Sequence, residues 1–371
     1  MTRRASVHRI AAAAPDDVSG IEAAIADGRI DPAGIVAIFG KTEGNGCVND
    51  FARGFATQSL GLMLQRHMSA AEAHAVCLVM SGGTEGGMSP HWTVFERRGT
   101  DEAPPGAGPH GGALAIGRTR TPVLPFGDLG RVAEVDMVAD GVRAAMADAG
   151  ITDPADVHFV QIKCPLLTLQ RIGEAEAKGE TVVTRDTLKS MGLSRAASAL
   201  GVAVALGEIG RDQISDDKIA ANWSLWSGRA SCSSGIELLD HEIVVLGTSP
   251  AWAGPLVIDH AVMADGIDVE PVRAALRRLG FAADGQLSPA ERGRLVALLS
   301  KAEASHDGKI RGHRHTMLDD SDISATRHAR AFVCGALAGL VGHAEIYVSG
   351  GAEHQGPDGG GPVAVIATRP G

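Results

Sequence analysis

Short apolar runs alternate along this chain with longer stretches in which apolar and polar residues recur at helical spacing. Apolar runs bounded by glycines are typical of buried strands, and two of them cover residues 75–80 and 345–348. The longer mixed stretches predict helices over residues 51–68, 194–206 and 321–340. Strands that alternate with helices in this way predict an α/β fold.

Two pairs of matching segments indicate that the chain repeats itself. Asp-Pro-Ala, an apolar run and a lysine ten residues after the aspartate occur at residues 31–41 and again at residues 153–163. Val-Arg-Ala-Ala followed by a glycine occurs at residues 142–150 and 272–280, and we expect each glycine to end a helix. Internal repeats of this kind predict homologous structural units.

A third motif, Ser-x-Gly-x-Glu, occurs at residues 81–85, 233–237 and 349–353. Each copy follows a lysine and a predicted helix that carries an arginine near its start. The lysines are Lys41, Lys163 and Lys301, and the arginines are Arg53, Arg195 and Arg327. One lysine, one arginine and one serine per third of the chain predict three homologous α/β units with pseudo-threefold symmetry.

The unit boundaries are expected in two segments rich in proline and glycine, near residues 103–112 and 248–254. This division gives unit A over residues 1–103, unit B over residues 111–249 and unit C over residues 255–371. The motifs are unevenly spaced, so we expect loops of different length on a shared framework.

These residue types suit acyl chemistry. A serine hydroxyl is a weak nucleophile until a base takes its proton, and a lysine can act as that base once burial or a neighbouring cation makes it neutral. An arginine lowers the pKa of such a lysine and hydrogen-bonds carbonyl oxygens, while glycines let backbone N–H groups stabilise an oxyanion. Three copies would suit a small ring that presents a carbonyl group to each unit.

The composition of the chain argues against several classes of function and of structural site. The 34 basic and 44 acidic side chains give a formal charge of −10, which does not favour nucleic-acid binding. The longest apolar stretch, residues 331–341, is shorter than the ~20 residues of a membrane span. Five scattered cysteines without a C-x-x-C pair argue against a disulfide framework or a thiolate zinc site. We expect a cytoplasmic enzyme without nucleic-acid or membrane partners.

The chain resembles the cyanuric acid amidohydrolase/barbiturase family over essentially its whole length. Five long strings carry the resemblance, at residues 41–50, 79–86, 161–167, 311–318 and 348–357. The resemblance implies three similar α/β units around a central barrel-like core, usually in a homotetramer. It also implies hydrolytic opening of cyanuric acid to carboxybiuret, which loses CO2 to give biuret.

The same resemblance implies roles for individual residues. Ser233 would be the nucleophile and Lys163 its base, both in unit B, although the adjacent Ser234 leaves the choice of serine open. We prefer Ser233 because it aligns with Ser81 and Ser349. The implied substrate-binding residues are Arg53, Ser81, Gly82, Arg195, Ser233, Ser234, Arg327, Ser349 and Gly350, and Lys41 and Lys301 would complete the other two dyads.

Family members often carry a structural divalent cation in the third unit. A carboxylate and the carbonyl groups of a glycine-rich loop suit Mg²⁺ or Ca²⁺ better than zinc. The residues that match this site are Glu303, Ala352, Gln355, Gly356, Pro357 and Gly360. No organic cofactor is expected.

Three alternatives stay open from the sequence. Barbituric acid differs from cyanuric acid at one ring position, so residues 320–327 near one arginine were expected to discriminate them. A metal-dependent cyclic amidohydrolase would use His313 and His315, which have the H-x-H form, although a polar loop is favoured there. A non-catalytic binder of a small anion would use the glycine-rich segments 40–46 and 82–87, which match no standard phosphate-binding motif.

Overall fold

Three mixed β-sheets with the same strand order form the framework of the molecule. The computed structural model describes residues 2–105 and 112–370. In each sheet an edge strand that contains a motif serine pairs in parallel with a strand that contains a motif lysine. The lysine strand then pairs antiparallel with a third strand, which pairs antiparallel with a fourth.

Unit A forms the first sheet, in the order β3-β2-β4-β1. Its elements are β1 (Thr2–Ala11), α1 (Ser19–Ala26), β2 (Ile35–Thr42), α2 (Phe51–Leu64), α3 (Ala70–Ala75), β3 (Cys77–Gly82) and β4 (His91–Thr100).

Unit B repeats the arrangement, in the order β7-β6-β8-β5. Its elements are β5 (Ala113–Arg120), α4 (Val132–Ala149), β6 (Val157–Cys164), α5 (Leu169–Ala177), α6 (Thr187–Ala205), β7 (Ala230–Ser234) and β8 (Glu242–Ser249).

Unit C forms the third sheet, in the order β14-β11-β15-β10. Strand β9 (Trp252–Ala253) lies in the segment that precedes unit C. The elements of unit C are β10 (Leu256–Met263), α7 (Glu270–Arg278), α8 (Pro289–Arg294), β11 (Leu295–Ala302), β12 (Lys309–Ile310), β13 (His313–Arg314), α9 (Ala325–Val341), β14 (Tyr347–Gly350) and β15 (Gly361–Thr368). The short strand β9 pairs in parallel with β1, so the segment between units B and C extends the sheet of unit A.

Local structure bears out the sequence repeats. The side chains of Asp31 and Asp153 each accept a hydrogen bond from the backbone N–H two residues on, and each caps a single 3₁₀ turn that leads into the lysine strand. All three lysine strands shift register at their second residue, as an inserted residue does in a β-bulge. Helix α4 ends at Gly150, which has a φ of 67° that favours glycine.

Some element boundaries differ from the predicted ones. Helix α6 begins at Thr187 rather than 194, because Asp186 caps it by accepting a hydrogen bond from the Lys189 N–H. Helix α9 begins at Ala325 rather than 321. The predicted boundary between units A and B includes residues 106–111, which lie outside the described residues.

The three sheets share one apolar core. It takes side chains from each unit, among them Phe39 and Phe95 from A, Phe159 from B, and Leu299 and Tyr347 from C. Hydrogen bonds join the described strands into separate sheets that pack around this core rather than into one closed barrel. The predicted α/β class with three related units is confirmed.

Candidate active site

Strand register brings each lysine of the repeat next to its serine. Each lysine is the penultimate residue of an eight-residue strand, and its paired residue on the neighbouring parallel strand is the motif serine. The pairs are Lys41 with Ser81, Lys163 with Ser233, and Lys301 with Ser349. All six side chains are buried, so each pair lies in a water-poor environment.

The serine ends of the three sheets meet at one small central cavity. Ser233 Oγ lies 2.9 Å from Ser349 Oγ across it. Eight of the predicted substrate-binding residues line this cavity: Arg53, Ser81, Gly82, Arg195, Ser233, Ser234, Ser349 and Gly350. The repeat therefore assembles one shared site from all three units.

Arg327 does not line this cavity; Arg330, one helical turn later on α9, does. Arg327 donates from Nε to the Asn45 carbonyl oxygen at 3.3 Å. Arg330 shares the buried face of α9 with Val333 and Leu337. That apolar spacing was the available sequence signal, since it puts Arg330 rather than Arg327 on the inward face.

The arginines link the units in a cycle. Arg195 of unit B donates to both oxygens of Glu353 in unit C, at 2.8 and 2.6 Å. Arg330 of unit C likewise donates to both oxygens of Glu85 in unit A, with its Nε at 2.8 Å. Arg53 of unit A reaches unit B, where its Nη1 lies 3.2 Å from the Ser234 carbonyl oxygen. Each arginine thus contacts the serine motif of the next unit.

Two motif glycines are required by these arginines. A Cβ atom on Gly83 would lie 2.4 Å from an Arg330 nitrogen, and one on Gly351 would lie 2.5 Å from the Arg195 guanidinium. Both residues also have a positive φ, of 101° and 78°. The glycine of Ser-x-Gly-x-Glu therefore makes room for the arginine that the glutamate binds.

The two outer lysines hydrogen-bond their own serines. Lys41 Nζ donates to Ser81 Oγ at 3.2 Å, and Lys301 Nζ donates to Ser349 Oγ at the same distance. Lys301 Nζ also donates to the Cys232 carbonyl oxygen in unit B, at 2.8 Å.

The middle lysine has different partners. Lys163 Nζ donates to the Met80 carbonyl oxygen in unit A at 2.6 Å and lies 2.8 Å from a Glu237 carboxylate oxygen. Its contacts in the described structure do not include a hydrogen bond to Ser233. Catalytic hydrogen bonds are often long or absent before substrate binds, so this geometry is compatible with a role for Lys163 as a base.

Burial shifts all three amines toward their neutral forms. Burial and Arg330 lower the pKa of Lys41 well below its ordinary value. Burial and Arg195 lower the pKa of Lys301 to about 7. Burial also lowers the pKa of Lys163, with Arg53 adding to the effect and Glu237 opposing it. Because the neutral form of a lysine is the one that can take a proton, these pKa shifts favour the form of each amine that can act as a base.

Two further cavities lie nearby: one adjoins the central cavity, and the other borders Lys163. A cavity of about 680 Å³ shares Arg195, Arg330 and Gly350 with the central cavity and therefore adjoins it. A separate cavity of about 210 Å³ has Lys163 and Glu237 in its wall.

Comparison with known proteins identifies the family. The sequence matches the family model of amidohydrolase ring-opening proteins over residues 6–368. The chain belongs to this family. It is 69% identical over 365 residues to a cyanuric acid amidohydrolase of Azorhizobium caulinodans, covering 98% of each chain. It is 63% identical over 369 residues to one from Bradyrhizobium sp., covering 99% of this chain and 98% of that one.

Solved structures of the ring-opening amidohydrolase family have the same fold. The crystal structure of the cyanuric acid hydrolase from A. caulinodans has a TM-score of 0.91 and 68% identity, with 99% of each chain covered. A second cyanuric acid hydrolase has a TM-score of 0.93 and 48% identity, with 99% of this chain and 100% of the other covered. The predicted resemblance is confirmed, and the chain is a hydrolase that acts on a cyclic amide.

The cation site expected in this family has a donor set suited to a hard cation. The Glu303 carboxylate is held only by the Ala304 N–H at 3.1 Å and by the Thr326 hydroxyl at 3.4 Å. Burial and Glu353 raise the pKa of Glu303, so a cation there would offset an unfavourable charge. Gln355 Oε1 accepts the Cys232 N–H at 2.6 Å, which leaves the Gln355 backbone carbonyl as its natural ligand.

Among the described residues, His313 and His315 belong to no cluster of three side chains at metal-ligand distances. His313 is exposed on β13, whereas the His315 ring contacts the Ser305 hydroxyl and the Met317 N–H. Over residues 2–105 and 112–370, the one cluster of side chains at metal-ligand distances is elsewhere and consists of His158, Asp259 and His260.

The helices that the structure describes bear on the prediction of no membrane partner. Across these residues, no helix combines the length and the apolar character needed to cross a membrane.

Proposed function

We propose that this enzyme opens the cyanuric acid ring by hydrolysis of one C–N bond. The product is carboxybiuret, which loses CO2 to give biuret. The observation that carries the proposal is that one arginine and one serine from each unit line a single cavity, and that a buried lysine is paired in register with each of these serines. A ring with three carbonyl groups and three N–H groups presents the same chemistry to each set. Relatives 69% and 63% identical bear the name cyanuric acid amidohydrolase, which supports this choice.

The proposed reaction begins when Ser233 Oγ attacks a ring carbonyl carbon while Lys163 takes the serine proton. The tetrahedral intermediate collapses as the C–N bond breaks, and Lys163 returns the proton to the leaving ring nitrogen. Water then cleaves the acyl-enzyme ester to release carboxybiuret. Arg53, Arg195 and Arg330 would bind the ring oxygens, with Arg330 replacing Arg327 in the predicted set.

Contacts of the adjacent serines favour Ser233 over Ser234 as the nucleophile. Ser234 Oγ donates to the Pro165 carbonyl oxygen at 2.9 Å, whereas Ser233 Oγ faces Ser349 across the cavity. We assign the chemistry to the middle unit because Lys163 lies 2.8 Å from the Glu237 carboxylate, which forms no ion pair with an arginine among the described residues. The outer pair of Lys301 and Ser349 is the competing assignment, because these two are already hydrogen-bonded.

The test is turnover of purified enzyme on cyanuric acid, with barbituric acid in parallel. Ser233→Ala and Lys163→Ala should each lower kcat by more than about 1,000-fold, as removal of a nucleophile or its base does. Ser234→Ala is the matched control: because Ser234 belongs to the predicted binding set and lines the same cavity, the variant should raise KM and leave kcat within about threefold of wild type. Loss of activity in Ser349→Ala with Ser233→Ala still active would move the chemistry to unit C. Turnover of barbituric acid alone would keep the mechanism and change the substrate.

We also propose that Glu303 and backbone carbonyls of the loop that contains Ala352, Gln355, Gly356, Pro357 and Gly360 hold a structural Mg²⁺ or Ca²⁺. The poorly compensated Glu303 carboxylate supports this site. Elemental analysis of the purified protein should find close to one ion per chain, and a chelator should lower the Tm. Metal-free protein with a chelator-independent Tm would contradict the proposal.

We further propose a homotetramer in the cytoplasm. Large apolar side chains exposed on α2 support an assembly of copies, and five free cysteines fit a reducing compartment.

A further inference from the structure

The three glutamates of the Ser-x-Gly-x-Glu motif are equivalent in sequence but not in structure. Glu85 and Glu353 each bind an arginine of a neighbouring unit through both carboxylate oxygens. Threefold symmetry would pair Glu237 with Arg53 in the same way. Glu237 instead lies 2.8 Å from Lys163, and the Arg53 Nε has no hydrogen-bond partner in the described part of the chain. The symmetry of the site is therefore broken at one residue.

The surroundings of the motif glycines also differ between unit B and the two outer units. A Cβ on Gly83 would lie 2.4 Å from Arg330 and 2.6 Å from Glu85, and one on Gly351 would lie 2.5 Å from Arg195, whereas the three nearest atoms to a Cβ on Gly235 all belong to the Glu237 carboxylate, the closest at 2.2 Å. In unit B the glutamate thus occupies the space above its own glycine. This position turns its carboxylate to the lysine of its own unit.

We propose that Glu237 is a positioning residue that orients Lys163 and stabilises the ammonium group formed when Lys163 takes the Ser233 proton. This inference rests on the proposed function. During attack, the Ser233 O–H bond breaks and an N–H bond forms on Lys163; when the ring opens, that proton moves to the leaving nitrogen. Glu237 remains a carboxylate throughout, as the aspartate of a Ser-His-Asp triad does.

The outer units lack an equivalent carboxylate. Both oxygens of Glu85 and of Glu353 already accept N–H groups of an arginine, so their charge is compensated. An ammonium group on Lys41 or Lys301 would therefore gain less from its motif glutamate. The arrangement gives a physical reason for chemistry in unit B while units A and C bind the ring.

The charges around Lys163 determine how the pH profile of activity should change when Glu237 is replaced. Besides Glu237 on its own unit, Lys163 faces Arg53 on α2, which lowers its pKa, and Cys164 on the same strand. Glu242 at the start of β8 lies in the same cavity wall and is paired with Arg120. Glu237 is therefore the one carboxylate within 4 Å of Lys163 in the described structure. Its removal should lower the pKa of Lys163.

The experiment compares the pH dependence of kcat/KM for cyanuric acid in wild type and Glu237→Gln. The variant should lose about 10- to 100-fold in kcat, with KM changed by less than about threefold, because the ammonium formed during attack is less stable. Its ascending pH limb should move to lower pH, since Lys163 loses its proton more easily. A structural role would not move this limb. Glu237→Asp, which keeps a carboxylate, should recover part of both effects.

Glu85→Gln is the matched control, because it changes the equivalent glutamate that binds Arg330. It should raise KM and leave the pH limb in place. An unchanged kcat in Glu237→Gln, or a lower kcat with an unmoved limb, would overturn the inference. If Glu237→Gln does not fold, the ascending limb of the pH profile of Glu237→Asp is the deciding measurement. A shift of that limb to lower pH supports the inference, and no shift overturns it. Activity that survives in both Ser233→Ala and Lys163→Ala would instead refute the proposed function, so the two failures are distinguishable.

Discussion

At the scale of single residues, the site depends on charges balanced in a dry environment. Three lysines are buried within one molecule, and burial lowers the pKa of each amine. Arg195 and Arg330 avoid the same penalty through fork-like pairs with Glu353 and Glu85, which compensate their charge while the guanidinium groups remain in the cavity wall. Lysine supplies a titratable base and arginine a permanent cation, so the two residue types cannot exchange roles.

The placement of Arg330 leads to a prediction about substrate affinity. Arg330→Lys should raise KM for cyanuric acid about 10- to 100-fold, because a lysine cannot donate to both oxygens of Glu85 and still keep a planar face toward the ring. Steady-state kinetics would measure this change. Arg327→Lys is the control and should remain near wild type, since Arg327 contacts the Asn45 carbonyl outside the cavity. The opposite ranking of the two variants would restore Arg327 as the substrate ligand.

The role of a residue could be predicted from the sequence only where that role follows from the position of the residue within the repeat. The lysine–serine pairs could be predicted because the same order of motifs recurs in three similar strands. The substrate-binding role of Arg327 stays a prediction, since it rests on the residue's place near the start of the predicted helix, whereas the side chain in the cavity wall is that of Arg330. The partner of Glu237 could not be predicted, because it depends on a side-chain orientation that breaks the symmetry of the repeat.

At the scale of elements, strand register creates the site. A register shift at the second residue of each lysine strand recurs in all three units, and the lysine lies five residues after it. A change of register by one residue would turn the lysine to the other face of its sheet. The Asp-Pro-Ala turns that start β2 and β6 therefore contribute to the position of residues a full strand away. The sequence repeat includes the two Asp-Pro-Ala segments, whereas the bulges leave no clear signal in residue type.

The motif glycines provide a prediction at this scale. Gly83→Ala should lower the free energy of unfolding by about 2–4 kcal/mol, because the new Cβ would overlap Arg330 and the backbone has a positive φ. Gly28→Ala is the matched control: it has a φ of 70° but no atom within 4 Å of the added Cβ. It should therefore show the backbone strain alone, about 1 kcal/mol. Denaturant unfolding would separate the two, and equal losses would show that the contact with Arg330 has no energetic effect.

At the scale of the whole molecule, the cycle of contacts makes the three units interdependent. Arginines run from A to B, from B to C and from C to A, while the lysines of B and C bond carbonyl groups of the preceding unit. No unit contains a complete site, yet a single chain contains all three sets. Catalysis should therefore not require a second copy of the chain. The pseudo-threefold plan could be predicted from the repeats, but the direction of the cycle could not, because it depends on how separate sheets pack.

The proposed homotetramer leads to a prediction about one exposed helix face. Phe51 and Phe55 lie one turn apart on α2 and are 82% and 51% exposed in the single chain. Exposed phenylalanines at this spacing form an apolar stripe that a second copy would cover. Sedimentation should find a tetramer for wild type and smaller species for the double variant Phe51→Ser/Phe55→Ser.

Turnover per chain decides whether assembly serves stability or catalysis. Since every Lys/Arg/Ser set belongs to the same chain, the dissociated Phe51→Ser/Phe55→Ser variant should retain kcat within about threefold, while its Tm falls because oligomers stabilise their folded subunits. Val123→Ser is the control, because it changes another exposed apolar residue, 61% exposed and outside α2. It should leave the assembly intact. A wild type that sediments as a monomer would contradict the tetramer, and dissociation caused by Val123→Ser alone would move the interface away from α2. Loss of kcat on dissociation would mean that the assembled state, rather than the single chain, holds the three units in their catalytic arrangement.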